Sequence, residues 1–215
     1  MTSTPRRAIC LHCLRPQSAC ICALAQPVLC AAQVLILQHP LELHEAKGTA
    51  RLLHLCLPGS RLEVGEQFDA AQLQQWLHAP WQPNDAPRQP VLLYPPSPDL
   101  PAPPALPEPL PASAVRLVVI DGTWRKSRKM LYANPALQTL PRLGLAASLP
   151  SEYRIRKAQR AGQLSTLEAC THALAGLENW AADGAEPQAL LNSFDSLLNQ
   201  LTAQRNQQQP SNGQP

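Results

Sequence analysis

Short apolar runs alternate with longer stretches of helical spacing along this chain, and that alternation predicts its elements. Ala32 to Gln38 (AQVLILQ) is continuous, rich in β-branched residues and closed by His39-Pro40, so it predicts a buried strand. His44 to Leu57 carries helical apolar spacing and stops before Pro58-Gly59. Arg61 to Val64 alternates as a short strand does, and Asp69 is placed to cap a helix ending near His78. Val91 to Tyr94 and Val115 to Ile120 (VRLVVI) predict two further buried strands. A basic helix should follow the latter to about Tyr132, and Arg142 to Ala146 forms a last strand. Leu164 to Trp180, with Ser165 or Thr166 at its cap, and Pro187 to Leu201 complete the helices.

Strands alternating with helices predict an α/β fold: a mostly parallel sheet with helices on both faces. Two segments fall outside that rhythm. Pro80 to Pro111 holds 13 prolines, and the part at about 95–112 reads as an exposed, extended insertion. The Gln-, Asn- and Pro-rich tail, 204–215, reads as disordered. The expected organisation is a Cys-rich module over 1–30, a catalytic domain over 31–203 with the insertion, and the tail.

Composition narrows the class. Hydrophobic residues make up 45% of 215 positions, enough for one sizeable core. No stretch reaches the roughly 20 apolar residues of a membrane span, and a cysteine cluster follows Arg6-Arg7 where a signal would be apolar. A cytoplasmic protein with reduced thiols is expected. The net charge of +3 hides an uneven distribution: nine of 18 basic residues lie between Arg125 and Arg160, where Glu152 is the single acid. One-sided clustering of that kind favours a polyanionic partner over an ordinary solvated face.

Cys10, Cys13, Cys20 and Cys22 form C-x2-C-x6-C-x-C, a donor set suited to one structural, tetrahedral zinc. Cys30, Cys56 and Cys170 sit in apolar stretches as packed thiols. Asp121-Gly122-Thr123-Trp124 lies where a strand feeds a helix, the place where α/β proteins bind ligands. Asp121 would orient a substrate or accept a proton, Thr123 hydrogen-bond, and Trp124 stack on a base; equally, Asp121 would cap the helix and Trp124 fill core. Arg125, Lys126, Arg128 and Lys129 are placed to track phosphates, and His39, just after a strand, to contact a base.

An ordered series of motifs then carries a resemblance. Beyond the cysteines with Arg15-Pro16 between them, it includes Gln38-His39-Pro40 with Glu42, and Lys47 to Leu52 (KGTARL). Leu93-Tyr94-Pro95, the Asp-x-Thr-Trp of 121–124, Ser151 to Arg156 (SEYRIR) and Leu164 to Ala169 (LSTLEA) complete it. The chain resembles the DTW-domain family of tRNA-uridine aminocarboxypropyltransferases from Cys10 to about Leu177. The resemblance implies a SPOUT-like fold, in which a knotted α/β region holds S-adenosylmethionine. It implies transfer of the 3-amino-3-carboxypropyl group to N3 of a tRNA uridine, in the variable loop or the D-loop, with release of methylthioadenosine. Asp121, Thr123 and Trp124 would then be catalytic. Leu93, Tyr94, Pro95, Ser151, Tyr153, Arg154, Arg156, Ser165, Thr166 and Glu168 would line the S-adenosylmethionine pocket with Asp121. Arg154 or Arg156 would hold the cofactor carboxylate or, alternatively, an RNA phosphate. A SPOUT-type methyltransferase and a non-catalytic zinc-ribbon RNA-binding protein are the competing readings. A monomer gripping tRNA unaided is compatible with the compact cysteine module.

Overall fold

The computed structural model describes residues 8–97, 102–145 and 164–208. Five strands form one all-parallel sheet: β1 (Gln33–Gln38), β2 (Arg61–Val64), β3 (Gln89–Leu93), β4 (Val115–Asp121) and β5 (Arg142–Leu143), in the order β2-β1-β4-β3-β5. β1 and β4 lie in the middle, and their interiors are buried on both faces, as continuous apolar runs require.

Six helices cover the sheet. α1 (Ala50–Cys56), α5 (Thr166–Glu178) and α6 (Ala185–Gln208) pack with Val34, Ile36, Leu117 and Val119 on one face. α2 (Ala70–His78), α3 (Trp124–Ala133) and α4 (Pro135–Gln138) pack with Leu35, Leu37, Leu92 and Val118 on the other. The α/β fold with both faces covered is therefore as expected. Among the described residues no helix is long and apolar enough to cross a membrane.

Arg116 interrupts β4 yet is only 1% exposed. Its guanidinium donates to Gln33 Oε1 and to the carbonyls of Trp76 and Leu77, and it stacks on Trp81 at 4.5 Å. A buried cation is tolerable because every nitrogen finds an acceptor.

Three boundaries differ from the sequence reading. The helix expected from His44 begins only at Ala50, because Arg15 takes the carbonyls of Ala46 and Gly48 at 2.9 Å and holds the preceding residues in turns. The final helix runs on to Gln208 instead of ending near Leu201, so 204–208 are not a disordered tail. Gln200 and Gln204 donate to the carbonyls of Cys20 and Ser18, both at 3.3 Å, which docks those polar turns on the cysteine segment. That segment does not stand apart: Cys10, Cys13, Ile21 and Val28 share the core beneath α1 and α6. The last strand, expected to run from Arg142 to Ala146, ends at Leu143; Gly144 and Leu145 lie outside it, and Ala146 is outside the described residues.

α5 starts at a capping box. The Ser165 hydroxyl accepts from the Glu168 N–H at 3.2 Å, and Glu168 Oε2 accepts from the Ser165 N–H at 2.8 Å. Ser165→Ala is expected to cost about 1 kcal/mol of stability, with the loss read as a lower urea midpoint at unchanged m-value. An unaltered midpoint would show that α5 does not need its cap.

Candidate functional site

From β1 the chain crosses to the α1 face, and from β4 to the α3 face. Their carboxyl ends therefore part at a topological switch point, where open α/β sheets bind ligands. Gln38 and Asp121 are register partners there, and the His39 N–H donates to the Asp121 carbonyl at 2.9 Å. Each Asp121 carboxylate oxygen accepts one hydrogen bond: Oδ1 from Thr166 Oγ1 at 2.6 Å and Oδ2 from Gln38 Nε2 at 2.9 Å. It is only 5% exposed. Burial pushes its carboxyl above the ordinary Asp range, Thr166, Gln38 and Lys126 pull it back, and Glu42 adds to the rise. Three elements distant in sequence thus converge on one carboxylate.

Gly122 allows a close approach at this turn. A Cβ there would sit 3.2 Å from Lys126 Cβ and 3.6 Å from His39 Cβ. Thr123 is the N-cap of α3, its hydroxyl accepting from the Lys126 N–H at 3.4 Å, so the capping role expected of Asp121 falls to its neighbour. Trp124 does not fill core: it is 57% exposed at the rim and meets Tyr94 edge-to-face at 5.9 Å. Tyr94 is buried, and Leu93 and Pro95 flank it at the end of β3.

Other expected residues take defined places. Ser165 and Glu168 are occupied with each other in the cap, while Thr166 reaches Asp121. Ser151, Tyr153, Arg154 and Arg156 lie outside the described residues. His39 is buried, with Nε2 2.9 Å from Glu66 Oε2 and Nδ1 accepting from the Leu41 N–H at 3.1 Å. Both ring nitrogens are taken, so the base contact expected of His39 has no free nitrogen to make it. On α3, Arg125, Arg128 and Lys129 are exposed, whereas Lys126 is half-buried against Glu42 at 2.7 Å. Lys129 pairs with Glu66 at 2.8 Å, and Arg128 lies 5.8 Å from the Tyr132 ring. The basic helix therefore has acidic partners after all, supplied from the ends of β1 and β2. Lys129 and His39 hold the Glu66 carboxyl below its ordinary range.

Sequence reasoning missed Glu66, the burial of Arg142 without a hydrogen-bond partner among the described residues, and the direct role of Gln38. A position just past the carboxyl end of a parallel strand was the available signal for Glu66. No local pattern marks the others.

The four cysteines converge. Their sulfurs lie within 4.8 Å of one another, with Cys10–Cys22 at 3.6 Å and Cys13–Cys20 at 3.7 Å. Ligands about 2.3 Å from a tetrahedral ion stand about 3.8 Å apart, so this donor set fits zinc. The N–H groups of Cys13 and His12 pull the Cys10 thiol down to about 6, whereas burial pushes Cys22 up to about 12.

Residues 7–202 match the DTW domain family. Over 184 residues the chain is 36% identical to tRNA-uridine aminocarboxypropyltransferase 2 of Drosophila melanogaster, which covers 81% of this chain and 68% of that protein. It is 29% identical over 177 residues to the proteins of the same name in Macaca fascicularis and Mus musculus, covering 80% of this chain and 57% of each relative. The chain thus spans little more than half the length of the mammalian relatives. No solved structure matches it.

Because the folded state binds the Asp121 proton more tightly than the unfolded chain, the stability this group contributes is fullest below its unfolded pKa. It is lost as pH rises through the folded value. Asp121→Asn escapes that loss, and the amide of Gln38 can turn to offer its otherwise unpartnered Oε1. The variant should therefore gain in melting temperature relative to wild type from about pH 4 towards neutrality. A relative gain by wild type over that range would contradict the burial argument.

Proposed function

Since the chain belongs to the DTW-domain family, we propose that it modifies tRNA, transferring the 3-amino-3-carboxypropyl group of S-adenosylmethionine to N3 of a uridine. The observation that carries this reading is the buried, doubly hydrogen-bonded carboxylate of Asp121 at the switch point, beside an exposed tryptophan and a cationic helix.

In the reaction a bond forms between uracil N3 and the γ-carbon of the methionine arm, the bond from that carbon to sulfur breaks, and methylthioadenosine leaves. The N3 proton must be removed. Burial raises the proton affinity of Asp121, so its carboxylate is a better acceptor than an exposed aspartate, and Thr166 and Gln38 fix the direction in which it accepts. S-adenosylmethionine, as co-substrate, supplies a sulfonium leaving group, so alignment dominates the barrier. Trp124, steadied by Tyr94, offers a face on which an extruded base can stack. Arg125, Arg128 and Lys129 face solvent where phosphates would run.

With S-adenosylmethionine labelled in its carboxyl carbon, label is expected on tRNA together with stoichiometric methylthioadenosine. Asp121→Asn should lower the rate by roughly 10²- to 10⁴-fold. Transfer of methyl label alone would make the protein a methyltransferase, and binding of tRNA without product would make it a non-catalytic binder.

The cysteine cluster supports a structural zinc with no open position, closing the segment that α6 grips. The purified protein should carry about one zinc per chain by mass spectrometry. Cys13→Ser or strong chelation should remove it and lower the melting temperature by on the order of 10 °C. A metal-free protein with unchanged melting would refute this role.

A further inference from the structure

Arg142 opens the edge strand β5 opposite Leu92 and is only 7% exposed. Its Nε, Nη1 and Nη2 are all buried, and none has a hydrogen-bond partner among the described residues. Arg116, equally deep in the same sheet, shows how this fold treats a buried guanidinium that serves structure alone, with an acceptor on each nitrogen. An uncompensated buried cation is costly and persists only where something else requires it.

The surroundings indicate what that is. Arg142 lies on the α3 side of the sheet, on the same face as Leu92 and Tyr94. Two residues on, a Cβ at Gly144 would meet Pro96 at a tight 3.2 Å and Pro95 at 3.9 Å, so the Tyr94-Pro95-Pro96 segment packs close to the end of β5. Tyr94 in turn touches Trp124. β3 alone separates β5 from β4, and Arg142 is level with Leu92 and Val118, so its backbone lies about 10 Å to the side of Asp121 and about 10 Å back along the strands. The Asp121 side chain turns to Thr166 on the α5 side, so the two groups approach the carboxyl ends of the strands from opposite faces. A ligand that reached both would pass over the carboxyl ends of β3 and β4, beneath the Tyr94–Trp124 pair.

We propose that Arg142 is the binding residue for the carboxylate of the co-substrate's amino-acid arm. The inference rests on the activity proposed above. A guanidinium with its nitrogens free in one plane matches a carboxylate bidentately. The arm is also the part of the co-substrate that moves in this reaction, and gripping its far end fixes the γ-carbon, not the methyl group, against the nucleophile. An RNA phosphate, flanked by its sugars, is poorly suited to a fork nine-tenths buried, and Arg125, Arg128 and Lys129 already offer it an exposed surface.

The test compares equilibrium binding of S-adenosylmethionine and of decarboxylated S-adenosylmethionine to the full chain by calorimetry. Wild type should prefer the carboxylated form roughly 10- to 100-fold. Arg142→Gln should abolish the preference, and Arg142→Lys, a charge without the fork, should retain part of it. An unchanged preference in Arg142→Gln, with binding intact, would overturn this inference and leave the proposed activity standing. Failure of wild type to bind either sulfonium would overturn both. A fall in tRNA affinity and a salt slope reduced by about one ion, with the cofactor preference untouched, would reassign the fork to phosphate. Arg142→Met should melt no lower than wild type in the absence of ligand, since it removes a buried unpaired charge. A lower melting temperature would show the guanidinium to be satisfied in the free protein.

Discussion

A single buried carboxylate ties the molecule together. Asp121 ends the central strand β4, and its two oxygens join it to β1 through Gln38 and to α5 through Thr166. Neither partner is charged, so the carboxylate is held without being neutralised, and burial keeps its affinity for a proton high. A high proton affinity is what the proposed proton acceptance would require of Asp121, beside its role in joining β1, β4 and α5. A purely structural role in this position would be filled at lower cost by an uncharged side chain.

Around that carboxylate the cations are distributed unequally in depth. Lys126 and Lys129 meet Glu42 and Glu66, which follow β1 and β2, so the pairs tie α3 to the carboxyl ends of those strands. Such partly exposed pairs contribute little stability, and their main effect is positional. Arg125 and Arg128 project to the surface. Arg142 lies beneath, buried and without an acceptor among the described residues. The basic cluster that the sequence shows from Arg125 onward is thus divided between helix placement, an outward cationic face and a buried guanidinium.

The cysteine segment is bound into this architecture and does not hang from it. Arg15, between the two cysteine pairs, fixes the turn before α1, and α6 clamps the carbonyls of Ser18 and Cys20. The Thr49 hydroxyl, at the start of α1, accepts from the Leu167 N–H at 3.2 Å. Contacts therefore run from the sulfur cluster through α1 to the first turn of α5, where Thr166 holds Asp121. That continuity joins Arg15-Pro16, Gly48-Thr49 and Ser165-Thr166, far apart in sequence, into one connected support for the carboxylate.

Strands, helix faces, caps at Asp69 and Ser165 and the cysteine spacing were legible from the sequence, because each depends on neighbours within a few positions. Periodicity, capping chemistry and ligand spacing are local properties. The placement of Asp121 at a strand's carboxyl end was legible for the same reason. The start of α1 and the end of α6 were misjudged, since their boundaries are decided by Arg15, Gln200 and Gln204 reaching carbonyls far away in the chain. The partners of Asp121, the acids that meet the basic helix and the solitude of Arg142 were decided only by the tertiary structure. They arise from parallel register and crossover connections, which bring together residues between 45 and 84 positions apart, and no window along the chain contains that information.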